Sequence, residues 1–129
     1  MATIERFEDL EVWKLAREFA LDIYKITGND NFAKDYRFCG QIRASAGSVM
    51  DNIAEGFERD GRKEFMQFLF IAKGSCGECR SQLYRALDVK YIDKETFDCY
   101  YEKSIIISKS LSKFIKYLKE SDLKGNKYK

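Results

Sequence analysis

Apolar side chains recur every three or four residues along most of this 129-residue chain. Such spacing places them on one face of an α-helix, so the pattern predicts helices rather than strands. It indicates four helices, at about residues 9–27, 34–56, 61–90 and 93–121, with a polar link at residues 29–31. Residues 122–129 are polar and basic and are predicted to form a disordered tail.

Particular residues indicate where the predicted helices begin and end and which of their positions are in the core. Gly28 and Gly56 are expected to end the first two helices, and Asp60 or Gly61 to begin the third. The predicted core stripes of the first, second and fourth helices are Leu10, Trp13, Ala16, Phe19 or Ala20, Ile23 and Tyr24; Phe38, Ile42, Ala46, Val49, Ile53 and Phe57; and Phe97, Tyr101, Ser104, Ser108, Leu111, Ile115 and Leu118. Short connections between long helices favour an all-α fold, an antiparallel up-and-down four-helix bundle forming a single domain over residues 1–129.

The third and fourth helices have more apolar positions than one seam can bury. Successive helical residues are about 100° apart, so residues 65–72 and the run Ile105-Ile106-Ile107 extend well around their helices. In a four-helix domain each helix keeps one face toward solvent. We therefore expect self-association through the surplus apolar residues, which are Met66, Phe70, Ile71 and Ile106.

Composition narrows the class of protein. The chain has no proline and no histidine, and its longest apolar run, residues 68–72, is too short to cross a bilayer. No membrane partner is expected, and a cytoplasmic location with reduced cysteines is predicted. Without histidine, neither a Ser/His/Asp nor a Cys/His catalytic set can form, and no carboxylate pair arranged for hydrolysis is visible.

The segment Cys76-Gly77-Glu78-Cys79 has the spacing of a metal or redox motif. It lies in the middle of a predicted helix, whereas a reactive C-x-x-C pair usually lies at a turn or a helix N-terminus. A closed zinc site would need Cys39 and Cys99 from two other helices. We interpret the cysteines as small core residues, and residues 74–77 as a run of small side chains that lets a neighbouring helix approach. A metal or redox protein is the third-ranked hypothesis, and no cofactor is expected.

Several ordered motifs resemble one known family. They are Phe7-Glu8-Asp9-Leu10-Glu11-Val12-Trp13-Lys14-Leu15-Ala16, Gln41-Ile42-Arg43, Asn52-Ile53-Ala54-Glu55-Gly56-Phe57, Lys63-Glu64-Phe65, Phe68-Leu69 and Ala72-Lys73-Gly74-Ser75. Together they resemble the proteins encoded in intervening sequences of bacterial 23S rRNA genes, relatives of the accessory variability protein of diversity-generating retroelements. The resemblance implies a four-helix bundle assembled into a five-fold ring, with no catalytic residues. For the retroelement relatives it implies binding of nucleic acid and a reverse transcriptase through a basic surface.

Charge is distributed unevenly along the sequence. Acidic residues exceed basic ones by three in residues 1–30 and by one in residues 31–60, whereas basic residues exceed acidic ones by three in residues 61–92 and by three in residues 93–129. Two basic groups are candidate nucleic-acid contacts: Arg59, Arg62 and Lys63 near the turn between the second and third helices, and Lys109, Lys113, Lys116 and Lys119 on one face of the fourth. The alternatives are a solvated lysine face and, for Asn52, Glu55 and Arg59, a polar network that fixes the turn.

The sequence thus predicts a non-enzymatic, homo-oligomeric four-helix-bundle scaffold or adaptor. Its expected partners are other copies of the same chain, forming a pentamer, together with RNA or DNA and a candidate protein partner. The alternative hypothesis is a protein-interaction module that does not bind nucleic acid. Binding through phosphates weakens steeply as salt rises, so salt dependence separates these two hypotheses.

Overall fold

The computed structural model describes residues 4–123, with side chains up to Ser121. A short 3₁₀ turn, Phe7–Asp9, precedes five α-helices: α1 (Glu11–Thr27), α2 (Asp30–Lys34), α3 (Tyr36–Glu58), α4 (Arg62–Asp88) and α5 (Lys94–Leu123). No strand occurs among these residues. Helix α5 extends through the first two positions of the predicted tail, and the rest of that tail lies outside the described residues.

The four long helices form the predicted antiparallel bundle. In cross-section they follow the order α1, α3, α4, α5, because α3 packs on α1 and α4 while α5 packs on α4 and, more sparsely, on α1. The observed helix ends lie within about two residues of the predicted ones, a normal uncertainty for helix boundaries. The bundle thus places α1 and α3 on one side and α4 and α5 on the other.

The predicted core stripes are largely buried. Phe19, Ile23, Ile42, Leu111 and Leu118 are among the side chains that are almost completely removed from solvent. Tyr24 was predicted to belong to the core, and this is wrong: its ring is exposed and lies under the guanidinium of Arg43, 4.6 Å from the ring centroid. The predicted alternatives Phe19 and Ala20 are both buried, and the core of α1 also includes Val12 and Thr27, which were not predicted.

The predicted polar link at residues 29–31 contains the start of a helix. Helix α2 is only five residues long, and it delivers Phe32 into the core. The Phe32 ring lies 5.3 Å from the ring of Phe38 and 5.1 Å from the ring of Tyr91. Burial of this one aromatic side chain anchors the short helix, since a fully buried Phe contributes about 1.5–3 kcal/mol, while residues 29–31 stay exposed.

Gly56 does not end its helix, contrary to the prediction. Helix α3 continues to Glu58, and Gly56 is buried against α4. A Cβ atom at Gly56 would lie 2.6 Å from Cβ of Phe68 and 3.0 Å from Cδ1 of Phe65, so only glycine fits without a shift of the helices. The glycine therefore sets how closely α3 and α4 approach.

The end of the bundle near α2 is tied together by side-chain caps. Asp35 accepts a hydrogen bond from the backbone N–H of Phe38 (3.1 Å) and another from the hydroxyl of Tyr91 (2.9 Å). Helix α4 ends in a Schellman motif, with the N–H of Tyr91 donating to the Ala86 carbonyl and Lys90 in the left-handed region at φ 65°. Asp93 caps α5 by accepting from the N–H of Thr96.

Candidate nucleic-acid and self-association surfaces

Three of the predicted nucleic-acid contacts form an exposed patch on α5. Lys109, Lys113 and Lys116 are exposed, and their steps of four and three residues place them on one face of the helix, over about 10 Å of its length. Within residues 4–121 none of the three forms an ion pair. We call these residues the α5 lysine patch. By the same helical spacing, Glu102 and Glu120 border it at either end.

The fourth predicted lysine of this face is placed differently. The ammonium of Lys119 lies over the ring of Phe70 on α4, 5.5 Å from its centroid. A cation over an aromatic face is attracted by the ring, by about 0.5–1 kcal/mol at an exposed site. Lys119 therefore belongs to the boundary between α4 and α5 and not to the centre of the α5 lysine patch.

The second predicted basic group surrounds the turn between α3 and α4. Arg59 donates to Glu55 (2.8 Å), lies 3.6 Å from a carboxylate oxygen of Glu64 and covers the Phe68 ring. The hydrogen bond that Arg59 donates to Glu55 and the charges of both carboxylates raise the pKa of Arg59. Its charge is already matched by two carboxylates, so Arg59 is a poor phosphate ligand. Lys63 is exposed, and Arg62 is half-buried.

The turn network is thus smaller than predicted. Arg59 does connect the end of α3 to the start of α4, as expected. Asn52 takes no part in it, because its side-chain amide donates to the carbonyl and the hydroxyl of Ser48, at 2.8 and 2.9 Å. Ser48 in turn shares a hydrogen bond of 2.9 Å with Ser75 of α4. These groups form a polar contact midway along the α3–α4 interface.

The predicted self-association residues do not all share one surface. Phe70 and Ile71 are each 50% exposed and lie on the outer side of α4. Ile106 is 47% exposed but lies in an apolar groove between α1 and α5, together with Leu15 and Phe19. Met66 is partly buried against the core. The surplus apolar surface is therefore divided between the outer face of α4 and the α1–α5 groove.

An ion pair joins α1 to α5 beside that groove. Lys103 donates to Asp22 at 2.7 Å, and the Asp22 side chain is only 15% exposed. The hydrogen bond to Asp22 raises the pKa of Lys103. No local sequence pattern predicts this pair, since its members are 81 positions apart and occupy ordinary polar positions of their helices.

Cys76 and Cys79 lie in the middle of α4 and are fully buried. The Cys76 thiol donates to the Ser104 carbonyl of α5 at 3.2 Å. Burial raises the pKa of both thiols, which suppresses the nucleophilic thiolate. No cluster of three or more His, Cys, Asp or Glu side chains positioned for a metal ion occurs in the described part of the chain.

Only part of the run of small residues at positions 74–77 contacts a neighbouring helix. Ser75 and Cys76 do contact other helices. Gly74 does not, because a Cβ atom there would meet nothing within 4 Å, and one at Gly77 would meet only the Arg80 side chain. The prediction that the whole run admits a neighbouring helix of the same bundle is therefore wrong for the two glycines.

None of the helices formed by the described residues combines the length and apolar character needed to span a membrane.

Comparisons with known proteins agree with this fold. The chain is similar to a protein of unknown function from the S23 ribosomal protein family of Bacteroides thetaiotaomicron, whose crystal structure was determined at 1.70 Å. The two are 30% identical and superpose with a TM-score of 0.75, over 81% of this chain and 98% of the other.

The comparison with curated proteins gives no match. The sequence profile of the 23S rRNA-intervening sequence proteins matches residues 8–113, which include the motifs on α1, α3 and α4 and most of α5. The chain therefore belongs to the 23S rRNA-intervening sequence protein family.

Proposed function

We propose that this protein is a non-enzymatic, homo-oligomeric scaffold that binds RNA or DNA through the α5 lysine patch. The observation that supports binding is the set of three exposed ammonium groups on one helix face, none paired with a carboxylate of residues 4–121. Duplex DNA carries one phosphate per strand for every 3.4 Å of its helix axis, so a patch of about 10 Å laid along that axis spans about three of them.

Self-association would increase the affinity of the α5 lysine patch for a polyanion. Each phosphate contact contributes little alone, but several subunits that contact one polyanion raise the effective concentration of every further contact. The half-exposed Phe70, Ile71 and Ile106 support self-association, since their burial in subunit contacts would be favourable. The family resemblance gives five as the expected number of subunits.

The test is the triple substitution of Lys109, Lys113 and Lys116 by Glu, assayed with single- and double-stranded oligonucleotides at low salt. We expect binding to be lost while helicity and oligomer mass stay unchanged. For the wild type, log K should fall with log salt with a slope of about −3 when one subunit makes three phosphate contacts, and more steeply when several subunits contribute.

The matched control changes net charge equally at other exposed lysines. Lys14 and Lys25 on α1 and Lys34 at the end of α2 are exposed and far from the patch in sequence. Their triple replacement by Glu should leave most of the binding intact. Equal loss in both triple variants would show a nonspecific charge effect and contradict the assignment of the patch.

The second candidate is a protein-interaction module without affinity for nucleic acid. Glu102 and Glu120 at the ends of the lysine patch favour it, because they keep the face electrically mixed. A wild-type protein that shifts neither single- nor double-stranded probes at low salt would support this candidate and overturn the first.

A further inference from the structure

The contact between α4 and α5 contains an aromatic cluster that is only partly closed. The ring of Phe97 is buried, and its centroid lies 4.7 Å from that of Tyr84 and 5.6 Å from that of Tyr101. Tyr84 and Tyr101 meet edge to face, with their centroids 6.1 Å apart. Tyr84 is nevertheless 49% exposed, and Tyr101 is half-buried. Part of the Tyr84 ring is therefore open to a ligand.

A cation lies beside this cluster without an acidic partner. Arg80 precedes Tyr84 by four residues, which places their Cβ atoms about 5–6 Å apart on one face of α4. Arg80 is half-buried, and its Nη1 donates to the Ser104 hydroxyl over a long 3.4 Å. Among the side chains that the structure describes, it forms no ion pair. A partly desolvated guanidinium that faces no carboxylate favours an anion, and phosphate suits its planar geometry. We call Arg80, Tyr84 and Tyr101 the Tyr84 site.

Basic side chains connect the Tyr84 site to the α5 lysine patch. Lys73 precedes Arg80 by seven residues and so shares its face of α4, and it too has no ion pair with a side chain of residues 4–121. On α5, Lys109 follows Tyr101 by eight residues, or about 12 Å. Because α4 and α5 are antiparallel, Lys73 and Lys109 lie on the same side of the tyrosines along the bundle. One extended chain of phosphates can therefore contact both.

Acidic side chains lie at the other end of the Tyr84 site. Asp88 follows Tyr84 by four residues, and Glu102 follows Tyr101 directly, and both are exposed. Asp98, also on α5, is already bound by Lys94 at 2.6 Å. Carboxylates repel a phosphate but tolerate an uncharged base. The charges thus favour a ligand with an aromatic ring at the tyrosines and its phosphates toward the lysines.

We propose that the Tyr84 site holds one unpaired nucleotide of single-stranded RNA or DNA, with its base stacked on Tyr84 and its phosphate on Arg80. This inference rests on the proposed nucleic-acid binding and specifies its substrate. Stacking is tolerant of sequence, because every base has an aromatic face. In a duplex those faces are covered by neighbouring base pairs, so Tyr84 cannot reach them. The Tyr84 site therefore adds affinity for single strands and none for duplexes, whereas lysines alone favour the higher charge density of a duplex.

Two substitutions of Tyr84 separate stacking from packing. Tyr84→Leu removes the aromatic face and should weaken binding of oligo(dT) and oligo(U) of about twelve nucleotides at least about fivefold. Affinity for a duplex of the same length should stay unchanged. Tyr84→Phe keeps the ring and should bind like the wild type. Helicity and oligomer mass should be the same in all three proteins.

Arg80→Gln tests the phosphate contact. It should weaken single-strand binding and make the slope of log K against log salt less steep by about 0.7 for each contacting subunit. A purely structural role of Arg80 would leave that slope unchanged. The matched control for the tyrosine is Tyr36→Leu at the start of α3, where the side chain is 83% exposed. This variant should bind single strands like the wild type.

A 2-aminopurine base within the single strand reports stacking directly, because its fluorescence falls when it stacks on an aromatic ring. Quenching should occur with the wild type and Tyr84→Phe and disappear with Tyr84→Leu. A wild-type protein that binds neither single strands nor duplexes at low salt would overturn the proposed function and this site together. Wild-type binding without quenching, or a Tyr84→Leu variant that keeps its single-strand affinity or loses duplex affinity equally, would overturn the Tyr84 site alone.

Discussion

At the scale of single residues, the structure gives several side chains a role that their type alone does not indicate. Gly56 resembles a helix stop in the sequence but is a contact point between α3 and α4. Arg59 resembles a phosphate ligand but is matched by Glu55 and Glu64. The partners of Gly56 lie on α4, where no local pattern identifies them, whereas Glu55 precedes Arg59 by four residues and local spacing already indicates that pair.

Gly56 leads to a stability prediction. Gly56→Ala adds a methyl group at 2.6 Å from Cβ of Phe68, which must push α3 and α4 apart. Overpacking of this kind typically costs about 1–3 kcal/mol, which exceeds the gain of about 1 kcal/mol from the better helix propensity of alanine. The free energy of unfolding, measured with urea, should therefore fall.

Gly77→Ala is the matched control for this substitution. Its Cβ atom would have only an ordinary contact of 3.7 Å, with the flexible end of the Arg80 side chain. This variant should gain up to about 1 kcal/mol from helix propensity. If Gly56→Ala were as stable as Gly77→Ala, the close approach of α3 and α4 at Gly56 would not limit packing.

At the scale of helices, the sequence predicts the four long elements well and their connections poorly. Long amphipathic stripes are reliable because about twenty residues repeat the same signal. Helix α2 is too short to show a helical periodicity. Its one buried side chain, Phe32, packs against the rings of Phe38 and Tyr91, and these contacts are not visible in the local sequence.

The junction at Asp35 gives a prediction at this scale. Asp35→Ala removes the cap of α3 and the acceptor for Tyr91, so it should cost about 1–3 kcal/mol of unfolding free energy. Tyr91→Phe removes only the second hydrogen bond and should cost about 0.5–1.5 kcal/mol. The double variant should lose less than the sum, and full additivity in urea unfolding would contradict the coupling.

The stability that the Tyr91–Asp35 hydrogen bond contributes depends on pH. The hydrogen bond to Asp35 raises the pKa of Tyr91, so folding favours the protonated phenol. This contribution to stability is present below the ordinary tyrosine pKa and is lost as pH rises through the higher pKa of the folded state. Tyr91→Phe should therefore show a smaller loss of stability above about pH 10 than the wild type.

At the scale of the whole molecule, the uneven charge of the sequence becomes an arrangement in space. The acidic first half forms α1 and α3, and the basic second half forms α4 and α5. Helices α1 and α3 carry six acidic and five basic residues, because much of the acidic excess of residues 1–60 lies outside them, whereas α4 and α5 carry eight acidic and eleven basic residues. Because the helices follow the order α1, α3, α4, α5, the bundle has one basic and one nearly neutral side. The sequence predicted the charge asymmetry, but only the helix order shows that the basic helices α4 and α5 are neighbours.

The position of Lys119 makes the two proposed interactions compete. Its ammonium lies over Phe70, whose burial in subunit contacts is part of the proposed function, and it follows Lys116 of the α5 lysine patch by three residues. This ammonium group cannot remain over Phe70 and bind a phosphate at the same time, and linkage makes the resulting antagonism reciprocal. An oligonucleotide of about four nucleotides, too short to bridge subunits, should therefore promote dissociation in sedimentation velocity. Lys119→Met should abolish this effect, and an unchanged wild-type dissociation constant would show that Lys119 serves only one partner. Such antagonism would let a polyanion adjust the lifetime of the assembly that binds it.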